Sequence, residues 1–345
     1  PGEHGISALR DLLRKSWFLR EPRLGEEIGP EATVIKRYTE EQFQILEILT
    51  GRPRAAIRGC AGSGKTILAV EKARRLASEG FRTLLVCYNK NLVEDLKNSL
   101  GNLPRLKIRS FHGLCAEYAA RTGRDQKPDW DDRRPDFFES IMPEALAVAS
   151  DTGGDEYRFD AIVADEGQDF DESWWTALEM LLAEPSRSVF YVFFDDNQLV
   201  YPRKLCLPVD EIPFALTTNC RNTQKIHAAI TRFYRSDLVL KARGPEGRDI
   251  DLITYGDSPL DLGAVLTEVL SKLVYAENVA SNDIVILSEG GPAKPPLTGS
   301  RKPGVFNLVS TRTGIPNDIF TTTIRLFKGL ESPVIILICP STDIA

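Results

Sequence analysis

From about residue 55 the chain alternates short apolar runs with amphipathic stretches. Residues 55–58 make a brief apolar strand, and a glycine-rich turn follows. Residues 65–78 then carry apolar positions at helical spacing and stop at Gly80, where a glycine can close a helix. Residues 81–87 (FRTLLVC) read as a buried strand, 92–100 as a helix and 106–111 as a further strand. After an interruption the rhythm returns with a strand at 159–164 (FDAIVA), a helix at 174–182 and an apolar strand at 188–194. A second series begins near Phe214, with a strand to Thr218 and a helix at 223–234. Strands at 250–254 and 284–287, a helix at 260–274 and a last strand at 334–339 continue it. Strand–helix alternation of this kind predicts an α/β fold, parallel sheets flanked by helices.

Three stretches depart from the pattern. Residues 6–14 suggest an amphipathic helix, and Pro22, Gly25, Gly29 and Pro30 then interrupt the chain before a helical segment at 40–49. The polar, acidic stretch 125–138 marks a small insertion spanning about 123–158, and 289–304 is rich in Pro, Gly and Lys and predicts a loop. With 345 residues, and about 150 to a domain, the expected layout is a linker over 1–31, a first lobe over 32–212 and a second over 213–345.

Composition narrows the function classes. A net charge of −6, from 43 Lys+Arg and 49 Asp+Glu, excludes a protein that coats nucleic acid by bulk charge, though not one with a local groove. No apolar run approaches the roughly 20 residues of a membrane span. The six cysteines have no C-x-x-C pair and the three histidines are dispersed. That argues against a zinc framework or disulfide scaffold and fits a reducing cytoplasm. A metal here would be a hard cation on oxygen ligands.

The run GCAGSGKT, from Gly59 to Thr66, fits G-x-x-x-x-G-K-[ST] between a predicted strand and a predicted helix. Gly59, Gly62, Ser63 and Gly64 would turn backbone N–H groups around a phosphate, with the helix N-terminus adding positive potential. Lys65 would reach the β- and γ-phosphates and the Thr66 hydroxyl would ligate Mg²⁺. Downstream, Asp165 and Glu166 follow an apolar strand. Asp165 there can hold Mg²⁺, and Glu166 can accept a proton from an attacking water. Gln198 lies just beyond the next apolar strand, placed to sense the γ-phosphate, and Arg221 opens the second series, placed to reach across a cleft.

Taken together, these segments resemble the superfamily 1 helicases of the UvrD/Rep type, most closely the helicase-like modules joined to nuclease-related (NERD) domains. The resemblance runs from about residue 38 to 339 and implies two RecA-like lobes, ATP with Mg²⁺ between them, and single-stranded nucleic acid, DNA before RNA, across them. It makes YTEEQ (38–42) a Q motif in which Gln42 reads adenine. It places Tyr88, Asn89 and Lys90 of LVCYNKNL, and Ser110, Phe111 and His112, against the strand. DEGQD and FFDDNQLVY become motifs II and III, with Tyr201 as a base platform and Arg203 as a phosphate contact. NCRN becomes motif IV, and TIRLFKGLE motif V, with Glu331 on the ribose.

The departures are informative. Cys220 stands where many relatives carry an aromatic, and Arg325 where a His is common. The stretch between motifs IV and V is too short for a large strand-opening insertion, and motif VI is missing. The start at Pro1 without a leader pattern also reads as a piece of a longer protein. On this reading the piece binds ATP and hydrolyses it weakly. Two function classes stay open: an ATP-driven helicase or translocase, and an ATP-gated nucleic-acid sensor that controls an attached effector such as a nuclease. A P-loop nucleotide kinase leaves the other motifs unexplained. Trp174 and Trp175 are expected in the core, not at a base-stacking surface.

Overall fold

A computed structural model describes residues 22–195, 197, 206–209, 211–234, 239–256, 259–289 and 303–339. The predicted helix at 6–14 and most of the predicted loop at 289–304 lie outside them. In chain order the helices are α1 (Leu24–Glu41), α2 (Gln44–Ile48), α3 (Lys65–Ser78), α4 (Lys90–Leu100), α5 (Phe111–Thr122), α6 (Met142–Thr152), α7 (Glu172–Glu179), α8 (Gln224–Thr231), α9 (Pro259–Ser271) and α10 (Ile324–Phe327). The strands are β1 (Arg54–Gly59), β2 (Thr83–Cys87), β3 (Leu106–Ser110), β4 (Ala161–Ala164), β5 (Val189–Phe194), β6 (Phe214–Leu216), β7 (Thr218–Asn219), β8 (Lys241–Ala242), β9 (Ile284–Ser288), β10 (Asn307–Val309), β11 (Asp318–Thr323) and β12 (Val334–Ile338).

Two parallel sheets with flanking helices carry the fold, as the alternation predicts. The first runs β3-β2-β4-β5-β1-β6 and the second β10-β11-β9-β12. β2 and β4 are buried along their whole length, which is why they read as continuous apolar runs instead of alternating ones. In the first sheet β5 separates β1 from β4. The loops that follow β1, β5 and β4 therefore emerge side by side at the carboxyl edge, where open α/β sheets bind ligands.

Several boundaries differ from the sequence expectation. β6 pairs with β1, so the strand expected to open the second series closes the first sheet instead. Residues 24–31 are not linker. They begin α1, whose Leu24 and Ile28 pack on the core of the second sheet. The Leu24 and Gly25 N–H groups donate to the Glu277 carboxylate and carbonyl at 2.8 and 2.9 Å. α1 thus begins on the core of the second sheet and ends beside the turn that follows β1. The expected strand at 250–254 does not form, and Ile250, Leu252 and Ile253 are exposed without a strand to pair with. The insertion contributes to the core, because Phe137, Ile141, Met142, Leu146 and Ala149 pack with α5 and α7.

Candidate nucleotide site and lobe interface

The turn between β1 and α3 is built by backbone constraints that glycine meets. Gly62 and Gly64 both have positive φ, +76° and +84°, a region L side chains rarely enter. A Cβ on Gly62 would also lie 2.5 Å from the side chains of Asn219 and Asn222, and one on Gly64 would lie 2.7 Å from Gln42 Oε1. Chain from outside the turn therefore closes on it from two sides. Lys65, the first residue of α3, is buried and folded back. Its Nζ donates to the carbonyls of Gly59 at 2.8 Å and Cys60 at 3.0 Å, and lies 3.2 Å from Asp195 Oδ2. Burial pushes the Cys60 thiol up to about 11, so this cysteine serves through its carbonyl, not as a nucleophile.

Three acids converge opposite this turn. Asp165 directly follows β4, fully buried, and neither carboxylate oxygen meets a donor at hydrogen-bonding geometry. Burial first, and then the charge of Glu166, push its carboxyl up to about 7; Thr66 and Lys65 pull it down. An orphaned, buried carboxylate next to a threonine hydroxyl suits a divalent cation. Mg²⁺ commonly takes one or two such side chains and completes its shell with phosphate and water. Glu166 follows in the left-handed region, φ +57°. Gln168 Nε2 donates to Glu166 Oε2, and Gln168 Oε1 accepts from the Asp195 N–H at 2.9 Å. One amide thereby ties the ends of β4 and β5 together. Asp195 is fully buried, and burial raises its pKa against the pull of Lys65.

Groups from beyond the first sheet complete the arrangement. The Cys220 and Arg221 N–H groups donate to the Gly62 carbonyl at 3.1 Å, and Asn219 Nδ2 donates to Ala61 O at 3.0 Å. Arg221 Nη2 is ion-paired with Glu331 Oε2, while its buried Nε has no hydrogen-bond partner. The expected finger and the expected ribose contact thus hold each other beside the P-loop. Lys328 reaches the acids, at 2.6 Å from Asp169 Oδ2 and 3.5 Å from Glu166 Oε2. Leu330 packs against cores on both sides. Asp195, Gln168, Asn219 and Lys328 were not singled out in the sequence. Only adjacency to a motif hinted at them, since their roles depend on contacts between distant segments.

The nucleic-acid candidates fare differently. Phe111 is fully buried and stacks on Trp174 at 4.3 Å and 7°, so it is a core ring and not a strand contact. Trp174 and Trp175 are both buried in the same core, as expected. Asn89 does not face a strand either. Its Nδ2 donates to the carbonyls of Leu326 at 3.0 Å and Lys328 at 2.7 Å, and its Oδ1 caps α4 through the Asn91 N–H. Ser110 caps α5 by accepting from the Gly113 N–H. Tyr88 and His112 are half-buried against Trp174, and Lys90 is exposed at the start of α4. Gln42 lies over the P-loop, with Nε2 donating to Thr218 O at 3.2 Å and Oε1 free of hydrogen-bond partners. Gln198, Tyr201 and Arg203 lie outside the described residues.

Residues 42–203 match a family model described as an AAA domain, a helicase-like P-loop family. The matched stretch holds the Gly59–Thr66 turn, Asp165, Glu166 and Asp195. This part of the chain is therefore similar to P-loop nucleotide-binding domains, in agreement with the fold. No curated protein matches the chain at a significant level. Among the described residues no helix is long and apolar enough to cross a membrane.

Proposed function

We propose that the chain is an ATP-driven motor of the superfamily 1 helicase type, binding ATP with Mg²⁺ at the P-loop and single-stranded DNA across its two lobes. The observation that carries this reading is the convergence of Arg221, Lys328 and Glu331 on the P-loop and its acids. A nucleotide there touches both halves of the molecule, so binding and hydrolysis can alter their separation.

The residues divide the work as follows. Phosphate oxygens replace the Gly59 and Cys60 carbonyls and Asp195 as acceptors for Lys65. Asp165 and Thr66 would hold Mg²⁺, which when bound would neutralise phosphate charge. Glu166, steadied by Gln168, takes a proton from the attacking water. Arg221 leaves Glu331 for the triphosphate and stabilises charge in the transition state. Gln42 offers an unpaired acceptor that suits the amino group of adenine. Each cycle of closing and opening moves one lobe along the strand.

ATP turnover with and without single-stranded DNA, run beside a strand-displacement assay, tests the proposal. DNA-stimulated turnover with displacement supports a helicase. Stimulated turnover without displacement or translocation favours a nucleic-acid-sensing switch, and turnover indifferent to DNA overturns the motor reading.

A further inference from the structure

Lys65, Thr66 and the glycine turn form the phosphate end of the site, and a nucleobase extending from it needs a flat partner. Two aromatic residues flank Gln42 on the chain. Phe43 packs against the first-lobe core. Tyr38 stands one helical turn before Gln42, near the end of α1, so the two share a helix face. It is half-buried, and the guanidinium carbon of Arg243 lies 4.4 Å from its ring centroid.

A short chain of contacts ties this pair to the P-loop. Asn219 donates to Ala61 O from its side chain and accepts the Arg243 N–H at 2.9 Å on its carbonyl. β7 and β8 pair in parallel between those two points. Glu41, on α1, holds the Arg243 guanidinium at 2.7 Å. Thr39, between Tyr38 and Gln42, has its methyl 3.8 Å from where a Cβ on Gly64 would lie. Cys220, also beside Thr39, is buried and carries no ring that could serve instead.

We infer that Tyr38 is the stacking platform for the base of the bound nucleotide, with Arg243 the planar group displaced from it or closed over the base. A guanidinium and a purine both present a flat face that can lie on a tyrosine ring, the first by cation–π attraction and the second by stacking. Arg243 keeps about half its side chain exposed, so it can move without unpacking a core. Stacking tolerates any base, and selectivity among bases is left to the Gln42 acceptor.

The inference rests on the P-loop being a nucleotide site, and the experiment separates the two. Binding of ATP, GTP and inorganic tripolyphosphate is measured on the wild type, Tyr38→Leu, Tyr38→Phe and Lys65→Ala. Tyr38→Leu is expected to weaken ATP and GTP by about tenfold or more, leave tripolyphosphate unchanged, and be rescued by Tyr38→Phe. Wild-type ATP affinity in Tyr38→Leu would overturn the assignment, as would equal weakening of ATP and tripolyphosphate. A wild type that binds none of the three ligands, or binds them no more tightly than Lys65→Ala does, would overturn the nucleotide reading and this one with it.

Discussion

Lys65 serves two purposes that a double substitution can separate. In the folded chain its ammonium lies 3.2 Å from the fully buried Asp195. Lys65→Met removes the phosphate ligand and leaves a buried carboxylate without its cation. Breaking such a pair by deleting one partner costs about 3–5 kcal/mol. The lower end applies, because burial already raises the Asp195 pKa and the Asn197 N–H still donates to it at 3.0 Å. At about 2–4 °C per kcal/mol for a lobe of this size, the melting temperature falls by roughly 6–12 °C.

The sign of the pH effect follows from Asp195. With its folded pKa raised above the unfolded value, the native state takes up a proton before the unfolded chain does, so this group's contribution to stability rises as pH falls through the interval between the two values. Lys65→Met enlarges that dependence. Adding Asp195→Leu replaces the broken pair with apolar groups and restores most of the stability, while nucleotide binding stays lost. Far-UV circular dichroism melts and a fluorescent-ATP titration read the two effects separately. A single variant melting within about 1 °C of wild type, with no gain from the second substitution, would refute the reasoning.

Three further substitutions probe other parts of the account. Phe111→Ala empties the stack on Trp174 and should cost about 3–5 kcal/mol of stability in a denaturant titration, whereas a strand contact would lose DNA affinity at unchanged stability. Gly64→Ala forces a Cβ into a positive-φ position against Gln42. It should lower stability by about 1–2 kcal/mol and ATP affinity by roughly tenfold or more, read by calorimetric titration. Arg221→Ala should reduce kcat roughly a hundredfold or more and change KM only a few-fold; a loss confined to KM would make Arg221 a binding group.

Much of the site was legible because its chemistry is local. A phosphate-binding turn must place glycines, a lysine and a hydroxyl at fixed spacing, and the acids must end a buried strand, so Gly59–Thr66 and Asp165–Glu166 could be read directly. The parallel sheets were legible for the same reason, as buried strands leave continuous apolar runs. β11 escaped notice because DIFTTT carries three threonines, yet the whole strand is buried and β-branched residues suit it. At 250–254 the reverse occurred: a strand was expected there, and among the described residues no neighbour pairs with it. Phe111 and Asn89 misled because a motif fixes position along the chain, not the direction a side chain faces. Asp195 and Lys328 draw their roles from partners 130 and 159 residues away, beyond the reach of any spacing rule.

The most direct measurement is phosphate release from ATP by wild type and Glu166→Gln, with and without single-stranded DNA, alongside ATP binding by both. The account predicts DNA-stimulated turnover in the wild type, and a variant that binds ATP normally but does not turn it over under either condition. A Glu166→Gln protein hydrolysing ATP at the wild-type rate would contradict it.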